Sequence, residues 1–150
     1  MAVKHTNIPA SYLILRQENQ ILLLRRLNTG YHDGDYSLVA WHVDPGETFT
    51  QTIIREAREE AWITLTHEDL NVVHVMHRHS WQGENSERVD VFIEAKKRQG
   101  EITNIEPHKC DDLSWFDMDH LPTNIIPCIR HALESIQQWV FYSEFGWENT

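Results

Sequence analysis

Residues 44–61 constrain this chain more than any other stretch. Asp44-Pro45-Gly46 is a turn signal with Pro at the second position, and it runs into a segment whose first turn lacks Gly and Pro. Thr48 is a candidate N-cap, so the pattern predicts a helix over residues 48–61. At about 100° per residue, Glu56 and Glu60 fall on one face one turn apart, with Glu59 beside them. Ile54, Ala57 and Ala61 fall on a different side and form the expected core face. Like charges four residues apart cost an isolated helix a few tenths of a kcal/mol. Such a triplet is either a solvated face or a set of carboxylates aimed at positive charge.

The context upstream favours the second reading. Glu47 stands eight positions before Arg55, across the Pro-Gly turn, where the two can form a charge-assisted hydrogen bond that ties loop to helix. The helix carboxylates are then free to face a hard cation. Oxygen ligands of this kind suit Mg²⁺ or Mn²⁺ rather than zinc.

Around that helix the chain alternates short apolar runs with turn signals. Residues 10–16 and 20–27 read as a hairpin, residues 28–35 as a loop, and residues 36–40 as a short strand. Residues 70–81 and 87–95 read as a second hairpin around Gly83-Glu84-Asn85, and residues 113–117 as another short strand. Ile125, Ile126, Ile129, Leu133, Ile136 and Val140 recur at near-helical spacing, which predicts a closing helix over residues 124–140 with Pro127 in its first turn. Strands, a helix, more strands and a final helix imply a mixed sheet with helices on both faces. No repeat or linker divides the chain, so residues 1–150 are expected to form one domain.

The charged positions carry a family resemblance. The Nudix box reads G-x5-E-x7-R-E-U-x-E-E-x-G-U, with U aliphatic. This chain has Glu47, seven intervening residues, then Arg55-Glu56-Ala57-Arg58-Glu59-Glu60-Ala61-Trp62-Ile63. Leu24-Arg25-Arg26, the segment from His42 to Glu47, and Glu106-Pro107-His108-Lys109-Cys110 with Trp115-Phe116 also look like family features. The chain thus resembles a Nudix (MutT-like) hydrolase over most of its length.

That resemblance implies an α/β/α sandwich and a Mg²⁺- or Mn²⁺-dependent pyrophosphohydrolase. Its expected substrate is a nucleoside diphosphate linked to another moiety, foremost a nucleoside triphosphate giving monophosphate and pyrophosphate. Carried over by position, Glu56 and Glu60 are the principal metal ligands, Glu59 assists, and the backbone carbonyl of Ala40 is a further ligand. Glu47 and Arg55 become the orienting ion pair, and Glu106 a further metal ligand or base. The alternative is a nucleotide-binding module of the same fold whose catalysis is impaired.

Three tryptophans depart from the pattern. Trp41 and Trp62 replace the two box glycines, and Trp139 stands where a glycine cap is expected after the closing helix. If Trp62 keeps a left-handed conformation, the strain is on the order of 1–2 kcal/mol. Trp41 brings a large indole to where backbone is expected to pass close to the metals.

Other residues are weaker candidates. Arg26, at a strand end, is a candidate phosphate or base contact, and Tyr31, His32 and Tyr36 are candidates for stacking on a nucleobase. His74, His77 and His79 fit ordinary strand histidines better than a zinc site, with His74 on the opposite face from the other two. Trp81 and Trp115 fit core or pocket-wall positions.

The formal charge of −10 argues against nucleic acid or an anionic membrane as partner, so the expected partner is a small nucleotide. A homodimer is compatible with this reading. Two cysteines without CxxC pairing, and no signal-like or membrane-length run, point to a cytoplasmic location.

Overall fold

The computed structural model describes residues 2–80, 87–103 and 106–148. Trp81 and the turn around Gly83-Glu84-Asn85 lie outside the described residues. Eight strands form one mixed sheet: β1 (Ile8–Gln17), β2 (Gln20–Arg26), β3 (Tyr36–Ser37), β4 (Val39–His42), β5 (Leu70–His79), β6 (Glu87–Ala95), β7 (Cys110–Asp117) and β8 (Tyr142–Phe145). Among the described residues two α-helices, α1 (Phe49–Glu60) and α2 (Pro127–Gln137), and a short 3-10 turn at His67–Asp69 complete the fold.

The strand order is β3-β2-β1-β6-β5-β8, with β4 also on β1 and β7 also on β2. The hairpin at residues 10–27 forms only at its tip, where Arg16 faces Ile21 and Gln17 faces Gln20. Beyond that tip β1 leaves β2, taking β4 antiparallel on one side and β6 parallel on the other. The strand expected at residues 36–40 is in fact two. Tyr36 and Ser37 pair with β2, whereas Val39–His42 pair with β1, and the buried Leu38 links them.

Alternation along the central strands gives each helix its own face. Leu13, Leu15, Val91 and Ile93 pack with Ile53, Ala57 and Ala61 of the α1 layer. Ile14, Phe92 and Met76 pack with Ile129, Ala132 and Leu133 of α2. The α/β/α layering expected from the sequence is therefore present. Ile53 rather than Ile54 is the deepest apolar side chain of α1, and Ile54 is only partly covered.

The closing helix begins later than expected. Tyr36 donates its N–H to the Asn124 carbonyl and accepts from the Ile126 N–H, so those residues extend the sheet and Pro127 opens the helix. Strand β8 was not foreseen. It runs parallel to β5 and is fastened by the buried His74, which lies 2.9 Å from the Val140 carbonyl and 2.6 Å from Ser143 Oγ. His77 and His79 lie together against the Trp147 ring, so the two do share a face.

Both helices end on tryptophan in the left-handed region. Trp62 has φ 60° and Trp139 has φ 59°. After α2 the Trp139 N–H reaches the Ile136 carbonyl at 3.1 Å and the Val140 N–H reaches Ser135 at 2.9 Å, the double bond of a Schellman cap. The backbone therefore keeps the glycine conformation, and the two indoles are left 73% and 94% exposed. Among the described residues no helix is long and apolar enough to cross a membrane.

Candidate functional site

The turn and helix start are fixed locally. The Glu47 N–H donates to the Asp44 carbonyl at 3.1 Å with Gly46 at φ 85°, the type II geometry that Pro-Gly favours. Thr48 Oγ1 accepts from the Gln51 N–H, and Gln51 Oε1 accepts from the Thr48 N–H, closing a capping box. Ser11 Oγ donates to the Phe49 carbonyl at 3.0 Å, which pins the start of α1 to the central strand.

On this frame Arg55 gathers carboxylates. Its Nε donates to Glu47 Oε1 at 2.6 Å and its Nη2 to Glu47 Oε2 at 3.2 Å, a two-pronged contact. The same guanidinium reaches Glu56 at 2.7 Å, Asp44 at 3.0 Å and Glu59 at 3.2 Å. Thr52 Oγ1 adds a bond to Glu47 Oε2 at 2.8 Å. Arg55 and Thr52 together hold the Glu47 carboxyl below its ordinary range, and Arg55 is pushed up by Glu47 and Glu56. Burial, and secondarily the neighbouring Glu60, push Glu56 up, although Arg55 opposes that shift.

Glu60 has a different partner. The Trp41 indole N–H donates to Glu60 Oε2 at 2.7 Å. Trp41 lies on β4 opposite Ser11 and packs half-buried on the α1-side core, next to the exposed Ala40. Trp41, Glu60 and Glu106 line one small cavity of about 90 Å³, with Leu24, Ile102 and Cys110 among its apolar walls.

Not all of the residues named from the sequence meet. Glu47, Arg55, Glu56 and Glu59 form one network, and Glu60 and Glu106 line the same small cavity. Arg26 and Tyr31 form a separate pair: Arg26 Nε donates to the Tyr31 carbonyl at 2.6 Å, and its guanidinium lies 5.3 Å over the Tyr31 ring. Tyr31 itself packs against the α2-side core. Tyr36 does not suit nucleobase stacking, because its ring is 7% exposed and its hydroxyl donates to Asp112. His32 faces Asp35 at 3.0 Å, and Trp115 is a wall of the α1-side core beneath Arg98. Sequence reasoning missed Thr52, Asp44 and the Trp41–Glu60 bond. Only Asp44, inside the recognised turn, carried a local signal.

The donor set at Glu56, Glu59 and Glu60 is all carboxylate oxygen, which fits a hard divalent cation. Burial first, and then the neighbouring Glu60, disfavours a bare Glu56 carboxylate, a cost that a bound cation would offset. Among the described residues, no three His, Cys, Asp or Glu side chains are already gathered as a metal-holding group. Arg55 and Trp41 draw on the same oxygens.

Comparison with known proteins agrees with the fold. The NUDIX domain family matches residues 6–136. The NAD-capped RNA hydrolase NudC of Chromobacterium violaceum is 28% identical over 140 residues, 86% of this chain and 47% of its own length. The protein of the same name from Stutzerimonas stutzeri is 28% identical over 114 residues, 76% of this chain and 38% of its own. This chain thus spans less than half of those curated relatives. The crystal structure of MutT NUDIX hydrolase from Burkholderia pseudomallei superposes with a TM-score of 0.75 at 25% identity, over 87% of this chain and 98% of that one. MutT protein from Methanosarcina mazei Go1 shares the fold at a TM-score of 0.73 and 17% identity, over 91% and 97% of the two chains. With the box charges at their spacing, the α/β/α layering and a family match across residues 6–136, the chain belongs to the Nudix hydrolase family.

Proposed function

We propose that residues 1–150 act as one Nudix domain that hydrolyses a nucleoside diphosphate linked to a further group, with a nucleoside triphosphate cleaved to monophosphate and pyrophosphate as preferred substrate. One observation carries this reading. The helix that presents Glu56 and Glu60 one turn apart is tied by Arg55 to Glu47 through paired bonds of 2.6 and 3.2 Å.

In this reading Glu56 and Glu60 hold Mg²⁺ or Mn²⁺, with Glu59 assisting and the Ala40 carbonyl beside them. A cation there supplies neutralisation of the diphosphate and polarises it towards attack by water. Glu47 and Arg55 keep the helix carboxylates in place. Arg26, Tyr31 and Glu106 contact substrate. The water oxygen forms the new bond to phosphorus and its proton passes to solvent, while the bridging P–O bond breaks and its electron pair leaves with the departing phosphate group. An acidic chain can bind an anionic substrate in this way because bound cations invert the local charge.

The NudC relatives are named for NAD-capped RNA, whose cap contains the same nucleoside diphosphate linkage. The formal charge of −10 disfavours an RNA body here, which is why a free nucleotide is preferred. The test is a panel of nucleoside triphosphates, NAD and NAD-capped RNA, with and without Mg²⁺. Mg²⁺-dependent turnover of triphosphates above the others supports the proposal. Turnover of none of them defeats it, and preference for NAD moves the substrate to dinucleotides.

An impaired nucleotide-binding module is the second reading, favoured by the Trp41 bond to Glu60. It predicts nucleotide binding without turnover, and turnover gained in Trp41→Gly.

A further inference from the structure

The residue at the first box position does more than fill space. The Trp41 indole is a hydrogen-bond donor only; it cannot become an acceptor or exchange roles with Glu60. Its backbone is held in β4, and its ring is packed on the α1-side core. The donor is therefore fixed in place, and Glu60 Oε2 is committed to it at 2.7 Å. A glycine at this position would offer Glu60 no such donor.

The bond occupies one lone pair of Glu60 Oε2, so the other oxygen is presented more freely to a cation. That bias affects cations unequally. Ca²⁺ takes six to eight oxygens and commonly uses both oxygens of a carboxylate, whereas Mg²⁺ holds a tight octahedron and keeps several waters. We propose that Trp41 is a positioning residue that biases Glu60 towards one-oxygen ligation, so that the box discriminates against Ca²⁺ in favour of Mg²⁺. This inference rests on the placement of a cation at Glu56 and Glu60 under the proposed function.

The experiment is calorimetric titration of the whole chain with Mg²⁺ and with Ca²⁺, for the wild type, Trp41→Phe and Glu60→Gln. Trp41→Phe keeps an aromatic ring and removes the N–H. It should tighten Ca²⁺ binding about tenfold relative to Mg²⁺, the low end of the effect of a hydrogen bond to a charged group. Glu60→Gln should weaken both ions. An unchanged Ca²⁺/Mg²⁺ ratio in Trp41→Phe, with Mg²⁺ binding intact in the wild type, overturns the role of Trp41 and leaves the site standing. No binding of either ion to the wild type overturns both. A second measurement needs no variant: the assigned Trp41 indole N–H should stay slow to exchange with solvent when Mg²⁺ is saturating. Exchange as fast as that of the exposed Trp139 indole would overturn the proposal.

Discussion

Arg55 and Glu47 face each other across the Pro-Gly turn, with Nε and Nη2 donating to the two carboxylate oxygens at 2.6 and 3.2 Å. No ammonium can reproduce that fork, because lysine offers a point charge instead of a planar pair of donors. Arg55 also reaches Asp44, Glu56 and Glu59, so it orders the helix carboxylates as well as the loop. Arg55→Lys should keep the fold by circular dichroism and lower kcat for a nucleoside triphosphate by about tenfold to a hundredfold, the scale of a small misplacement of catalytic groups. Wild-type kcat in this variant would show that the fork does not position the site.

The tryptophans at the helix ends yield a stability prediction. Trp62 and Trp139 hold left-handed backbone with indoles largely in water, so glycine would relieve strain while losing little burial. The relief of about 1–2 kcal/mol is offset by about 0.4–1 kcal/mol for the greater freedom of glycine in the unfolded chain. The net relief centres on about 0.8 kcal/mol, so Trp62→Gly and Trp139→Gly should each raise Tm by about 2–3 °C. A lowered Tm would mean that the indoles make contacts that outweigh the strain.

The histidine that fastens β8 makes stability depend on pH. His74 is buried, and its Nδ1 faces the Val140 carbonyl, so Nδ1 carries the proton and Nε2 accepts from Ser143 in the neutral ring. Burial lowers its affinity for a second proton below the ordinary value of 6.5. The unfolded chain takes up that proton as pH falls through about 6.5, while the folded chain resists it. The contribution is full above that pH and is lost progressively below it. Urea midpoints at pH 7.5 and 5.5 should show a larger acid loss for the wild type than for His74→Gln; equal losses would contradict the assignment.

Elements fixed by neighbours in the chain were legible, and those fixed across the sheet were not. The Thr48 cap, the Pro45-Gly46 turn and the Glu47–Arg55 pair all lie within the twelve positions from Asp44 to Arg55, and each formed as expected. Strand β8 could not be read, because its place depends on His74, some seventy positions away. The split at Leu38 likewise depends on two different partner strands. Tyr36 reads in the sequence as the start of a short strand and a candidate for nucleobase stacking, yet its pairing with Arg25 of β2 and with Asn124 and Ile126 takes it into the core. The Trp41–Glu60 bond joins a strand to a helix nineteen residues on, and no local pattern announces it.

The most direct test of the central claim is Mg²⁺-dependent pyrophosphate release from a nucleoside triphosphate by the wild type, Glu56→Gln and Glu60→Gln. Each substitution removes a carboxylate charge at nearly constant volume. A cation held by these two residues lowers the barrier by several kcal/mol, so kcat/KM should fall about a hundredfold or more in each variant, at saturating Mg²⁺ and with the fold retained. Undiminished Mg²⁺-dependent turnover in both variants would contradict a cation site at Glu56 and Glu60.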